Sequence, residues 1–231
     1  MNFFKDSFLS ALGLIIAFDP ELIEIVKVSL NVSLASTVIA AITGIPLGFV
    51  ISTAAFPFKR AVITIFNTML ALPTVVIGLL VYMLISRNSI FGDFALLYTQ
   101  KAIIIGQIIL IIPIVTTFTI SAISRIDARY RKTAMTLGAN PFQTSMVVLK
   151  EARFAITAAV VAAFGRVISE IGICMMLGGN ISGYTRTMTT AMALQYDKGE
   201  FVLAIALGII LLCISLAVNV MLTYFQGKSS G

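Results

Sequence analysis

The stretch "RIDARYRKTAMTLGANPFQTSMVVLKEAR", Arg125–Arg153, is a charged segment between two long apolar runs, and it decides the fold. Ala102–Ser124 before it contains no charged residue, and Phe154–Gly179 after it contains only Arg166 and Glu170. A transmembrane helix needs about 20 predominantly apolar residues. Both flanking runs are long enough, so the sequence predicts a polar loop between two membrane spans.

The composition of the whole chain also indicates a membrane protein. The chain has 231 residues, of which 59% are hydrophobic and 11% are charged, and its mean hydropathy is +1.04. Soluble domains contain about 25% charged residues. The absence of histidine removes the usual general base and the commonest metal ligand. Cys174 and Cys213 lie in separate apolar runs and fit neither a disulfide framework nor a zinc site.

Five segments are predicted to cross the membrane, which gives an all-α, polytopic helical bundle in a single domain, residues 1–231. The three further charge-free runs of sufficient length are Val28–Phe58, Ala61–Ser86 and Phe201–Gly227. The N-terminal apolar stretch Phe8–Phe18 has 11 residues, about half a bilayer crossing by helix rise. We interpret it as a helix lying in the membrane interface, with a sixth span as the alternative.

Three of the predicted spans contain a proline. Pro46, in "TGIPLG", is expected to kink or end the first span because it lacks an amide hydrogen and has glycines beside it. Pro73 and Pro113 lie inside the second and third spans. Such prolines are either ordinary kinks in a packed bundle or marks of helices broken around a translocation path.

The distribution of charge predicts the orientation. The loop at 125–153 holds six Lys/Arg and two Asp/Glu, so the positive-inside rule places it in the cytoplasm. By alternation Lys59, Arg60 and the C-terminus are also cytoplasmic, whereas Ile181–Glu200 is outside. Lys59 and Arg60 are themselves basic, as expected for a cytoplasmic loop, and this agreement is an independent check on the number of spans. We therefore attribute the net charge of +6 to topology rather than to nucleic-acid binding.

The two charges inside the fourth span require an explanation, because intramembrane charges are costly. Arg166 and Glu170 are four residues apart, so they share a helix face and are predicted to form an ion pair within one helix, away from lipid. Three interpretations remain. The pair is structural, or Arg166 lines the path and attracts an anion, or Glu170 holds a gate by bonding a neighbouring span.

The segment "GGNISGYTR", Gly178–Arg186, follows the fourth span. It combines glycine-rich backbone, which forms amide nests, with an arginine, and both bind oxyanions. We predict that Gly178, Gly179, Asn180 and Arg186 belong to the translocation path or gate. The alternative is a Gly-rich turn between the span and a surface helix. "TMTTAMALQ", Thr187–Gln195, is predicted to form a short helix that lies on the outer face or dips into it.

The loop at 125–153 is predicted to contain two short helices with a bend at Leu137–Pro141. Its apolar residues pack either on its own bundle or on a cytoplasmic partner. "TAMTLGANPFQTSMVVLKEAR" resembles the loop of binding-protein-dependent ABC importer permeases, with Gly138 on the family's glycine and Ala134 on its second alanine. Lys132 and Lys150 stand where glutamate and proline are usual in that pattern.

The resemblance extends from about Glu21 to Gly227. "SLNVSLASTVIAAITGIPLGFVIS", "LALPTVVIGLLVYMLIS" and "ARFAITAAVVAAFGRVISEIG" are similar to successive spans of the molybdate, sulfate and tungstate branch of these permeases. "GGNISGYTRTMTTAMALQYDKGEF" is most similar to the tungstate permease subunits.

The resemblance implies the permease subunit of an ATP-driven oxyanion importer in a prokaryotic inner membrane, of ABC-importer permease-type fold. It implies a homodimer with two ATP-binding cassette subunits on the cytoplasmic side and an extracytoplasmic tungstate-binding protein. No "GxxxxGK[ST]" motif occurs in the chain, so ATP and magnesium are expected on the ATPase and no cofactor on this chain. The resemblance places coupling to the ATPase at Arg129, Tyr130, Arg131, Lys132, Ala134, Leu137, Gly138, Ala139, Pro141 and Phe142.

Other functions remain open at this point. Molybdate or sulfate is an alternative cargo. An intramembrane enzyme would need paired aspartates or a histidine-containing motif, and the five predicted spans contain neither. A membrane scaffold that transports nothing is the remaining alternative class.

Overall fold

The computed structural model describes residues 2–229, so the first residue and the last two of the predicted domain lie outside the described part. The described residues form ten α-helices and a short 3-10 turn at Gly92–Phe94. The helices are α1 Asn2–Ile16, α2 Pro20–Thr53, α3 Lys59–Met69, α4 Thr74–Ile85, α5 Gln100–Ser124, α6 Ala128–Thr136, α7 Pro141–Ile168, α8 Gly172–Gly178, α9 Met188–Lys198 and α10 Phe201–Ser229.

Three helices, α2, α5 and α10, are each long and apolar enough to cross a membrane. Two further helix pairs pass the same test together but are bent, α3 and α4 by 99° and α7 and α8 by 60°. If each bent pair is one span, the described chain has the five predicted spans. The 15-residue α1 is about 22 Å long and packs on α10 through Ala11, which contacts the cluster around Ala206 and Leu207.

Helices α2 and α5 lie side by side and run parallel. Asn31 Nδ2, about three turns into α2, donates to Gln100 Oε1 in the first turn of α5 at 2.9 Å, and Gly48 lies against Thr119 near the last turns of both helices. Both helices therefore finish at the end of the molecule that carries α6, which we call the α6 end. Lys59 begins α3 at this same end, as the predicted topology requires.

Helices α7 and α10 run antiparallel. Gly165 faces Val218, and nearer the α6 end Ala155 and Gln226 line the same crevice. The chain thus crosses from end to end five times, and α10 finishes at the α6 end. The assignment of this end to the cytoplasm stays a prediction.

Pro46 was predicted to kink or end the first span. It does not end the span, because α2 continues to Thr53. The neighbouring glycines have another role. A β-carbon on Gly48 would lie 2.7 Å from the Thr116 carbonyl oxygen, and one on Gly44 would lie 3.0 Å from Val115 Cβ. "TGIPLG" therefore allows two helix backbones to approach closely, as small residues four apart do in membrane bundles.

The second span is broken, and the break lies at its proline. Leu70–Pro73 separates α3 from α4, and Pro73 occupies the N-cap position of α4 with φ −64° and ψ 130°. By contrast, α5 runs through Pro113 without interruption. Of the three prolines considered, only Pro73 coincides with a broken helix.

The loop at 125–153 has the expected interruption but not two short helices. Helix α6 ends at Thr136, Gly138 adopts φ +83°, and Asn140 caps α7 through a capping box with Gln143. The second helix is then 28 residues long and forms most of the fourth span, a length of about 42 Å. Sequence reasoning missed this because an amphipathic loop helix and an apolar span can continue into each other without a breaking residue.

Candidate functional site

The predicted site residues fall into two groups, one at each end of α7. The coupling residues lie on α6 and on the first turn of α7, at the α6 end. Arg166 lies in the last turn of α7, and Glu170 lies immediately beyond it. One uninterrupted helix therefore joins the two groups.

The coupling group presents apolar side chains to the surface. Leu137 is 82% exposed, Phe142 is 73% exposed and Tyr130 is 45% exposed. Ala134 is buried and lines a cavity of about 480 Å³ between α6 and α7, next to Val147. The exposed members do not pack on their own bundle, so the geometry favours the docking interpretation of these faces.

The remaining coupling residues surround this surface. Arg131, Lys132, Gly138 and Pro141 are exposed, and Ala139 is half-buried. The start of α6 is fixed by Asp127, whose carboxylate accepts hydrogen bonds from the Arg129 backbone amide at 2.8 Å and from Arg129 Nε at 2.7 Å. These bonds from Arg129 lower the pKa of the Asp127 carboxyl.

The ion pair predicted in the fourth span is present, but not within one helix. Arg166 Nη1 lies 2.8 Å from Glu170 Oε2. Helix α7 ends at Ile168, so Glu170 belongs to the break before α8. The side chain of Glu170 is 3% exposed, whereas that of Arg166 is 41% exposed. Arg166 therefore presents a partly free guanidinium, while its partner is buried.

Glu170 connects three helices. Its Oε1 accepts from the Ile173 amide of α8 at 3.3 Å, and its backbone carbonyl accepts from Thr189 Oγ1 of α9 at 2.8 Å. A buried carboxylate is costly unless it is paired and hydrogen-bonded. The Glu170 carboxylate has its bonds only while Arg166 of α7 and Ile173 of α8 keep this arrangement, and the backbone bond to Thr189 fixes α9 to the same residue.

The two helix breaks meet beside Glu170. A β-carbon on Gly172 would lie 3.1 Å from Thr74 Oγ1 and 3.3 Å from Glu170 Oε1. Further along, a β-carbon on Gly78 of α4 would lie 3.0 Å from Met176 Sδ of α8. The half-helices α4 and α8 therefore pack directly on each other.

Helix α5 holds the other side of α8. A β-carbon on Gly106 would lie 2.6 Å from Ile173 Cγ2 and 2.6 Å from Leu177 Cδ1. Together with the α4 contact, this places α8 in a narrow slot lined by glycines. A larger side chain on either wall would displace α8.

A turn at Gly178–Arg186 follows α8. Gly179 and Asn180 have φ +68° and +51°, and a β-carbon on Gly179 would lie 2.7 Å from the Tyr98 ring. Tyr98 also donates its backbone amide to the Leu177 carbonyl at 2.9 Å. The left-handed turn and the close ring contact explain why glycine stands at 179.

The polar groups of this turn are largely used within it. The Gly179 amide donates to the Met175 carbonyl at 3.1 Å, and the Ile181 amide donates to Thr185 Oγ1 at 3.0 Å. Arg186 Nη1 lies 3.3 Å from Glu21 Oε1 at the start of α2. In this conformation two candidate nest amides are therefore occupied, and Arg186 ties the turn to α2.

The short helix predicted after this turn is confirmed as α9, which is capped by Thr187. Of the two predicted placements, on the surface or dipping into it, the second describes its first turn, because Met188, Thr189, Thr190 and Ala191 are buried. Its first turn is fixed to α2, where Ser29 Oγ accepts from the Met188 amide at 2.7 Å.

Several residues that contact the charge pair, α8 or the turn after α8 were not predicted. No sequence pattern identified Thr189, Tyr98 or Glu21 as contact residues, since their partners lie far away in the sequence. A buried polar chain was also missed: Ser36 Oγ donates to Gln107 Oε1 at 2.8 Å, and Gln107 Nε2 lies 3.7 Å from Cys174 Sγ. The presence of a glutamine inside a charge-free span could have indicated this buried hydrogen-bond network.

Comparison with known proteins agrees with this architecture. Residues 30–230 match the model of the family described as binding-protein-dependent transport system inner membrane component. The chain is 35% identical to the tungstate uptake system permease protein TupB of Peptoclostridium acidaminophilum over 226 residues, 98% of this chain and 99% of that protein. It is 37% identical to the TupB protein of Campylobacter jejuni over 219 residues, 95% of this chain and 92% of that one.

Among solved structures, the chain is similar to a bacterial ABC transporter involved in the import of the acidic polysaccharide alginate. The TM-score is 0.71 at 17% sequence identity, and the match covers 92% of this chain and 80% of that one. At this identity the similarity shows the fold.

Proposed function

Because the chain belongs to the family of binding-protein-dependent transport system inner membrane components, we propose that it is the translocation subunit of an ATP-driven oxyanion importer, with tungstate as its cargo. The supporting observation is the similarity to tungstate uptake permeases over nearly the whole length of both proteins. Molybdate and sulfate are the alternative cargoes. Tungstate and molybdate have the same charge and nearly the same size, so direct competition has to separate them.

The proposed assembly contains two copies of this chain, two ATPase subunits on the cytoplasmic side and an extracytoplasmic tungstate-binding protein. ATP and magnesium bind to the ATPase subunits, since this chain contains no phosphate-binding "GxxxxGK[ST]" motif. Residues 1–231 act as one permease domain, with 125–153 as its coupling loop. The α6 end then faces the cytoplasm.

The exposed apolar side chains of α6 and of the first turn of α7 form the proposed ATPase-docking surface. Leu137 and Phe142 lie on either side of the turn at Gly138 and are both largely exposed. Burial of two such side chains contributes about 1.5–3 kcal/mol each. The basic residues Arg131 and Lys132 flank this surface and give it a positive charge that would attract acidic residues of the ATPase.

Helix α7 is the proposed route from ATP hydrolysis to the gate. It begins at the docking surface with the Asn140 cap and ends two residues before Glu170. No break interrupts it between Pro141 and Ile168. A rigid-body movement of the docking surface would therefore reach the charge pair directly, as in alternating access by rocking of helix bundles.

The proposed gate consists of α8 with the break at 169–171 and the turn at Gly178–Arg186. Glu170 holds it closed through Arg166, Ile173 and Thr189. Release of Glu170 would free the Arg166 guanidinium, whose five donors suit a tetrahedral oxyanion. Arg166 would then lie on the path, and Glu170 would act as the latch.

Reconstitution of the chain with its partner ATPase and an oxyanion-binding protein tests this function. We expect the tungstate-loaded binding protein to stimulate ATP hydrolysis and uptake of labelled tungstate into liposomes. Molybdate and sulfate should compete more weakly. A lack of stimulation by every oxyanion-loaded binding protein would contradict the transporter and leave the membrane scaffold.

A further inference from the structure

A crevice of about 610 Å³ lies between α5, α7 and α10 near the α6 end. Its volume is in the range of small-molecule sites, about 300–1,000 Å³. Arg125 and Ile126, the first two residues of the coupling loop, line it, but no residue of the docking surface or of the gate does. Its walls are Phe118, Ser121, Ala122, Arg125 and Ile126 of α5 and the segment after it, Ala155, Ala158, Ala159 and Ala162 of α7, and Gln226 of α10.

The α7 wall of the crevice is lined by alanines, whereas Ser121, Arg125 and Gln226 give the rest of the crevice polar groups. The four alanines of α7 follow a spacing of three, four and seven residues, so they share one face of the helix. Ala158 and Ala159 are buried, and Phe118 on the opposite wall is 42% exposed. A small dianion could contact Arg125 but would leave the alanine wall of α7 without an apolar partner.

One cation stands at the mouth of the crevice. Arg125 is the first residue after α5, at the α6 end, and its side chain is exposed. None of the ion pairs within residues 2–229 includes it. A slot with an apolar wall that finishes at an unpaired guanidinium is complementary to an amphiphile with a negative head group.

We infer that this crevice binds an anionic phospholipid, with an acyl chain between the alanines of α7 and Phe118 and its phosphate on Arg125. The inference uses the orientation in the proposed function, which places the α6 end at the cytoplasmic leaflet with its anionic lipids. Basic pockets between spans on that side bind anionic head groups. A second copy of the chain is the other possible occupant, and the test below distinguishes it from a lipid.

The test is lipid retention by the purified permease–ATPase complex. Native mass spectrometry would count bound phosphatidylglycerol and phosphatidylcholine during titration with each lipid. Arg125→Gln removes one cation near the membrane surface, so this variant should bind phosphatidylglycerol about fivefold more weakly than the wild-type complex. Arg60→Gln removes the same charge from α3 at the same end of the molecule and should leave binding unchanged.

A second variant tests the apolar wall. Ala159→Leu narrows the crevice and should reduce retention of both lipids, while the melting temperature shows whether the complex is folded. If Arg125→Gln and Arg60→Gln lose phosphatidylglycerol binding equally, the inference is overturned, because the lipid is then attracted by the overall positive charge of this end and not by the crevice. Dissociation of the dimer by Ala159→Leu with unchanged lipid binding would overturn it in favour of a second copy. The readout needs neither tungstate nor ATP hydrolysis, so its failure is distinguishable from failure of the proposed function.

Discussion

Thr74 and Gly172 are the contact point of the two broken spans, since Thr74 Oγ1 lies 3.1 Å from the place of a β-carbon on Gly172. We expect Gly172→Val to separate α4 from α8, to cost about 1–3 kcal/mol of stability through overpacking, and to abolish uptake. Gly13→Val is the matched control, because nothing lies within 4 Å of a β-carbon on Gly13. Normal tungstate uptake by Gly172→Val would contradict the tight contact.

The close approach of α2 and α5 depends on Gly48. A β-carbon there would lie 2.7 Å from the Thr116 backbone oxygen, and backbone cannot move aside as a side chain does. We expect Gly48→Ala to lower the free energy of unfolding by about 1–3 kcal/mol. Thermal unfolding in detergent measures this. Gly208→Ala, where the nearest atom is Met192 Sδ at 3.7 Å, should be nearly neutral, and equal losses would count against the interpretation.

The ion pair between Arg166 and Glu170 predicts that a single variant is less stable than the double variant. Arg166→Ala leaves the Glu170 carboxylate buried without its cation and should cost about 3 kcal/mol, the low end for a bare buried charge because Arg166 is partly exposed. The double variant Arg166→Ala with Glu170→Ala removes the bare charge and should be more stable than the single one. Melting temperatures test the order.

Uptake by the same variants separates the roles of the pair. If Arg166 lines the path, the double variant remains inactive although its stability recovers. Full recovery of tungstate uptake in the double variant would mean that the pair is only structural.

Gly138 should be required for coupling rather than for insertion. Its φ of +83° disfavours any L side chain although nothing lies within 4 Å, a strain of about 1–2 kcal/mol. We expect Gly138→Asp to insert normally and to lose the stimulation of ATP hydrolysis by the loaded binding protein.

The control for this variant is Gly199→Asp. Gly199 has φ +76°, also with open space around it, between α9 and α10 at the other end of the molecule. It carries the same backbone strain without a place in the docking surface. Wild-type stimulation in Gly138→Asp, or equal loss in both variants, would count against the coupling role of this turn.

The docking surface predicts a binding defect. Leu137 is 82% exposed, and Leu137→Ala should weaken co-purification of the ATPase about tenfold or more if its burial contributes about 1.5–3 kcal/mol. Ile90, 81% exposed in the loop between α4 and α5, gives the matched control Ile90→Ala. Equal ATPase recovery with the two variants would place the docking surface elsewhere.

The sequence allowed the number of spans and the shared end of the charged loops to be predicted, because hydropathy and charge are summed over long segments. It could not show which spans are broken. Pro46 and Pro113 lie inside continuous helices, whereas Pro73 starts a new one. The difference depends on the neighbouring helices, which compensate for the missing amide at some positions only.

The candidate site was predictable only in part. The spacing of Arg166 and Glu170 indicated their contact correctly, although the helix that should have carried both ends at Ile168. Contacts of Glu170 with Thr189, and of Arg186 with Glu21, join residues that are distant in the chain. No local pattern encodes such pairs.

The unbroken course of α7 has a mechanical consequence. A helix of 28 residues is a lever about 42 Å long, and a tilt of about 10° about one end displaces the other by about 7 Å. That displacement exceeds the 2.8 Å length of the bond from Thr189 of α9 to the Glu170 carbonyl, whereas Arg166 lies on α7 itself and moves with Glu170. In the proposed mechanism, a small rotation imposed on the α6 end is amplified enough to break this bond between α9 and Glu170, so movement of the docking surface would open the gate.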